Sequence, residues 1–236
     1  MRRHTLGFGI AVASIAAAAT MPLSASAASS TVVITPINAA SKGWIIPVPG
    51  NGAVPYGWTG PADSAGGNES LHFGPISSAD RLAKFEIEPP ETNVPVSDFG
   101  GLSFEFQNIA GPTGHIYANA YVDSSANGIG FFGDGTSSTG FYDCRYEFTA
   151  TNYGSGWNLV QITPSSLPGA DNFRINQCAA TIGGNVGGRI EFFRINAGDT
   201  SVDDAGLVGA FDLVKVTVAG STTTYDFGVD ANGDGV

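Results

Sequence analysis

The chain has 236 residues, of which only 13% are charged, with 21 acidic against 10 basic side chains and a formal net charge of −11. So few lysines and arginines argue against nucleic acid and anionic membranes as partners, because binding to either uses positive charge to displace counterions. The low charge content also excludes a chain that is disordered and acidic throughout, and Gly-rich sequence with abundant Phe and Val suits a β-protein with many turns.

Arg2 and Arg3 precede an apolar, small-residue run over 6–19, and Ala25-Ser26-Ala27 supplies a cleavage signal. The run is too short and too alanine-rich for a bilayer span. Residues 1–27 are therefore expected to be a secretory signal peptide, with the general secretory route favoured over the twin-arginine one. Its removal takes away two basic residues and no acids. The remainder divides into one β-sandwich domain, 28–228, and a polar acidic tail, 229–236. The protein is expected outside the cell.

Beyond residue 27 apolar residues recur with period two, in short runs broken by Gly, Pro, Asn and Asp. Strands are predicted at 31–37, 43–48, 70–73, 82–88, 102–109, 115–122, 140–149, 158–162, 173–175, 189–195, 210–218 and 222–227. About a dozen short strands without a linker describe a single all-β, antiparallel sandwich. Four of them carry a glutamate between two apolar residues: Glu86, Glu105, Glu147 and Glu191. Alternation turns the apolar pair to the core and the glutamate to the other side, usually solvent. If two such strands shared a concave sheet, Glu105 and Glu147 would form a glycosidase-like carboxylate pair.

Cys144 and Cys178 are the two cysteines. In an exported protein an even count suggests one disulfide, worth about 3–4 kcal/mol for a loop of this length in the chain-entropy model. Two buried thiols are the alternative.

The stretches "GNESLHFGP", "GSGWNLVQITPSS", "GGRIEFFRINAG" and "GAFDLVKVTVAGSTTTYDF" resemble the jelly-roll sandwiches of secreted bacterial proteins, the galactose-binding-like and carbohydrate-binding-module group. The matching pieces are 69–73, 157–162, 211–216 and 225–227. The resemblance implies a jelly roll and a glycan ligand, and one fold hosts many functions. It also implies a structural calcium beside the terminal strand, for which Asp226 is the candidate.

His72 and His115 lie in alternating strands and are expected to be structural or solvated rather than catalytic. No nucleophile elbow, zinc motif or phosphate loop is present. Tyr56 and Trp58 sit in the Pro/Gly-bounded loop "VPYGWTGP", where large rings are hard to bury. Flat rings cover the apolar face of a sugar, and Asn51, Asp63, Asn68 and Glu69 could bond its hydroxyls. The alternative is that Trp58 plugs the end of the sandwich. Trp44 and Trp157 read as core, and Asp134 among aromatics as a turn residue on a second rim. In the tail, Asp230, Asn232 and Asp234 occupy alternate positions before Gly235, like the first half of a calcium loop. The second half is missing, so calcium binding there requires lent carboxylates such as Asp226. The remnant also resembles the start of a dockerin-type repeat.

The leading expectation is a non-catalytic secreted module that binds an extracellular polysaccharide or glycan through Tyr56, Trp58, Asp63 and Asn68. A glycan-active enzyme using Glu105 and Glu147, or a structural surface or matrix protein without a small ligand, are the alternatives. Ligand identity and oligomeric state are not legible.

Overall fold

The structure, a computed structural model, describes residues 27–49, 54–62, 69–77, 84–112, 114–123, 144–149, 156–162, 171–172, 189–198 and 204–228, with backbone alone for 123, 144–149 and 171–172. The described residues form thirteen strands: β1 Ser29–Ile34, β2 Tyr56–Gly57, β3 Leu71–Phe73, β4 Phe85–Ile87, β5 Val94–Pro95, β6 Phe99–Ala110, β7 Ile116–Asp123, β8 Cys144–Thr149, β9 Trp157–Ile162, β10 Asp171–Asn172, β11 Arg189–Ala197, β12 Val208–Val218 and β13 Ser221–Phe227. The only helical turns among them are two short 3-10 turns, Ala40–Lys42 and Val96–Asp98. The all-β expectation holds.

Seven strands make the first sheet. β12 is its central stave, flanked on one side by β6 and then β9, and on the other by β13 with β1 and by β3 with β2. Six strands make the second sheet, in the order β10, β8, β7, β11, with β4 and β5 side by side against β11. Pairing is antiparallel except at one edge, where β1 runs parallel to β13. The sandwich is thus not antiparallel throughout.

Alternation explains why these segments pack as they do. In β6, Leu102, Phe104 and Phe106 point inward and are buried, while Ser103, Glu105 and Gln107 point away. In β7, Ile116, Ala118, Ala120 and Val122 form the inward set, and Phe193, Ile195 and Ala197 do so in β11. The two sheets meet through rings: Phe73 of the first stacks on Phe85 of the second at 5.0 Å, and Phe99 lies 5.4 Å from Phe193. Each such burial contributes roughly 1.5–3 kcal/mol. Gly209 makes the cluster tight, since a Cβ there would fall 2.7 Å from Phe73 and 2.8 Å from Phe106.

β12 changes partner half-way. Residues 209–211 pair with β3, residues 214–218 pair with β13, and the register against β6 shifts between Asp212 and Lys215. Leu213 there has φ +44°, unusual for a residue with a side chain. The bulge is held by Asp212, fully buried, whose Oδ1 accepts the N–H groups of Leu213 at 2.7 Å and Phe227 at 2.8 Å. A carboxylate replaces the ladder partner the bulge removes.

Elsewhere the predicted bounds move for local reasons. The strand predicted at 31–37 stops at Ile34, because Pro36 has no N–H and Asn38 Oδ1 accepts Thr35 N–H at 2.8 Å, which closes a turn. Ile37 is left 93% exposed. The segment predicted at 43–48 makes one isolated bridge, Ile45 to Glu88, rather than a strand. The strand predicted at 173–175 lies outside the described residues.

Candidate functional site

Tyr56 belongs to β2, and Trp58 follows the strand's last residue, Gly57. The Tyr56 ring stands 5.7 Å from Phe85, its hydroxyl donates to Ile46 O at 3.4 Å, and the residue is 42% exposed. Trp58 is half-buried, with its ring 5.7 Å from Phe227 and packed on the core. Glu69 is half-buried. Asn51, Asp63, Asn68 and Asp134 lie outside the described residues. Trp44 is core, edge-on to Tyr225 and Phe227. Trp157 is not: it is half-buried on the outward side of edge strand β9, and its Nε1–H donates to Ala62 O at 2.7 Å.

The condition for the Glu105–Glu147 pair was one shared sheet. β6 belongs to the first sheet and β8 to the second, so the two residues sit on opposite layers. Glu105 is half-buried, beside Asp212 and Leu159 in register, and Glu147 stands opposite Asn119 in register. Nor is Glu86 solvated as the alternation suggested. It is 1% exposed, ion-paired to Lys84 and 3.7 Å from the Arg194 guanidinium.

That contact opens onto the densest chemistry among the described residues, the outward face of the second sheet. Register aligns Arg194 with Asn119, Asn196 with Tyr117 and with Glu86, and Phe192 with Tyr121. The Tyr121 and Phe192 rings stack at 4.3 Å. The Arg194 guanidinium lies 5.4 Å and 5.1 Å from their centroids, and its Nε donates to Glu88 Oε2 at 3.4 Å. Asn119 Nδ2 donates to Tyr121 Oη at 3.4 Å, and Asn196 Nδ2 to Arg194 O at 3.3 Å. The side-chain carbonyl oxygens of both asparagines are buried and receive no donor.

Burial pushes the Glu88 carboxyl above its ordinary range; the Arg194 charge and hydrogen bond oppose this, and the neighbouring Glu86 adds to it. Burial works against charge on Arg194 too, but Tyr121, Glu86 and Glu88 outweigh it and its pKa is raised. Arg194 is therefore a fixed cation, with its planar fork held by two carboxylates and two rings.

The His115 ring packs edge-on to Tyr117 at 4.9 Å, and the His115 backbone N–H donates to Asp204 Oδ1 at 3.1 Å. The His72 ring lies where a Gly57 Cβ would be. Asp226 is half-buried on β13; Asp230, Asn232 and Asp234 lie outside the described residues, as does Cys178, the partner expected for Cys144 of β8. Among the described residues no group of three or more His, Cys, Asp or Glu is arranged to hold a metal, and no helix is long and apolar enough to cross a membrane.

The class the fold defines is an all-β sandwich with one polar–aromatic sheet face. No protein-family model matches the chain, and no curated protein matches it. Among solved structures it is similar to a family 11 carbohydrate-binding module from Clostridium thermocellum in complex with a beta-1,3-1,4-mixed-linked tetrasaccharide (12% identity, 75% of this chain and 89% of that one, TM-score 0.42). It is also similar to the family 11 carbohydrate-binding module of the cellulosomal cellulase Lic26A-Cel5E of Clostridium thermocellum (11%, 75% and 84%, TM-score 0.40). The K1 cleaved adhesin domain of Lys-gingipain from Porphyromonas gingivalis W83 is a third (15%, 75% and 90%, TM-score 0.39).

Proposed function

We propose that this protein is an exported, non-catalytic carbohydrate-binding module, and that its ligand lies against the outward face of the second sheet. The observation that carries this reading is the part-exposed Arg194 fork, held between Glu88 and the Tyr121–Phe192 pair. A sugar offers what such a face lacks. Its hydroxyls donate to amide and carboxylate oxygens and accept from guanidinium N–H groups, and its C–H face lies on rings. The reading is non-catalytic because Glu86 and Glu88 are both engaged with cations, whereas glycoside hydrolysis uses one available acid and one available base. The loop set Tyr56, Trp58, Asp63 and Asn68 is a second contact region in this proposal, supported by the exposure of Tyr56 alone.

The test is retention of the mature protein on a panel of soluble and insoluble polysaccharides, with calcium and with chelator, with released reducing ends assayed in the same tubes. Retention without release is expected. Arg194→Lys keeps the charge but loses the planar fork, and should weaken retention by about tenfold. Tyr56→Ala reports on the loop. Undiminished retention by Arg194→Lys would remove the sheet face from the proposal, and release of reducing ends would transfer the reading to a hydrolase.

A further inference from the structure

At one end of the sandwich the β12–β13 hairpin faces the segment leading into β5, and between them lies a cleft of about 360 Å³. Val94, Val216 and Val218 line it as an apolar surface continuous with the core, and Thr92, Ser221 and Thr223 supply polar groups. Its one ionisable lining residue is Glu91. Glu91 Oε1 accepts the Tyr225 O–H at 2.5 Å; Oε2 is shielded from solvent and has no hydrogen-bond partner. Burial raises the Glu91 pKa above the ordinary carboxylate range, the mark of a charge without enough compensation.

A carboxylate that no cation meets, at the wall of an apolar cleft with few polar groups, is the usual make-up of a small-ligand site. No lysine or arginine lines the cleft to meet the carboxylate. The chain as a whole carries a net charge of −11, which draws cations rather than anions to it. We propose that this cleft is a second binding site, separate from the sheet face, for a small ligand bearing a protonated primary amine on a ring with one apolar face, an N-unsubstituted amino sugar being the type. The ammonium pairs with the Glu91 carboxylate, the cleft's one charge, and the C–H face of the ring covers the valines.

The experiment is calorimetric titration of the mature protein, near neutral pH, with methyl glucosaminide, methyl glucoside and n-butylamine. The glucosaminide is expected to bind at least about tenfold more tightly than either of the others, as a charge-assisted bond added to ring contact implies. Glu91→Gln keeps an oxygen to accept the Tyr225 O–H, so the fold is retained while the charge is removed; the amine preference should vanish, with polysaccharide retention by the sheet face unchanged. Val218→Phe, which fills the cleft without touching the carboxyl, should abolish glucosaminide binding. Equal affinity for glucoside and glucosaminide, absence of glucosaminide binding, or a preference that survives Glu91→Gln would overturn the site. Butylamine binding as tightly as the glucosaminide would overturn the sugar assignment.

Discussion

The two outward faces of the sandwich are built by the same alternation and could hardly differ more. On the first sheet the outward positions on the β13 side of the bulge are Ser103, Lys215, Thr217, Thr222 and Thr224, short hydroxyl residues with one exposed lysine that has no ion pair among the described residues; Glu105, Gln107 and Trp157 face outward beyond the bulge. On the second they are Tyr117, Asn119, Tyr121, Phe192, Arg194 and Asn196, all but Phe192 and Arg194 buried. Threonine and serine cover a strand face because they tolerate the pleat and water equally well. A face of buried tyrosines and asparagines around a part-exposed arginine is costly unless its polar atoms are met. This difference is what directs the glycan reading to the second sheet.

The comparison can be broken by measurement. The largest effect is expected at the one place where the first sheet departs from its bland character: Asp212→Ala leaves the Leu213 and Phe227 N–H groups without their acceptor and should cost about 3 kcal/mol in urea unfolding. Next comes Arg194→Ala, which strands Glu88 and leaves Glu86 with Lys84 alone, at about 2–3 kcal/mol, against no more than about 0.5 kcal/mol for Lys215→Ala. Equal costs for the two cations would erase the distinction between the faces.

A smaller effect distinguishes them by pH. Glu88 and Glu91 both have raised folded pKa values, so the native state holds more protons than the unfolded chain above the ordinary value of 4.5. Stability from these two groups is fully present below 4.5 and is lost as pH rises through their folded values. Unfolding midpoints of the Glu88→Gln, Glu91→Gln double variant should therefore fall less steeply between acid and neutral pH than those of the parent. Identical slopes would contradict the assignment. The smallest change is Thr217→Val, which removes the 2.8 Å hydroxyl contact with Thr222 and should cost under about 1 kcal/mol.

How much of this was legible in the sequence depends on the distance over which each signal acts. Which side of a strand faces the core is local, and Phe104 and Phe106 obey it. So does Trp157: it shares parity with exposed Leu159 and Gln161 and opposes buried Val160 and Ile162, so its outward position was readable and was missed because tryptophan as a type suggests core. Which sheet a strand joins is not local. The "FEF" of β6 and the "YEF" of β8 look alike yet fall in different layers, which undid the carboxylate pair. The second-sheet face was visible as two period-two sets, 117/119/121 and 192/194/196, but only register places them side by side.

One feature of the bulge bears on how the molecule is assembled. β13 is the partner of β1 along its whole length and of half of β12, and its Phe227 N–H is one of the two donors to Asp212. Until that strand docks, β1 has no ladder and a sealed carboxylate lacks a donor. Closure joins segments nearly two hundred residues apart, the kind of contact that forms slowly and late. The last described strand is thus an inner tie rather than an edge, and it alone joins β1 to the rest of the sheet among the described residues.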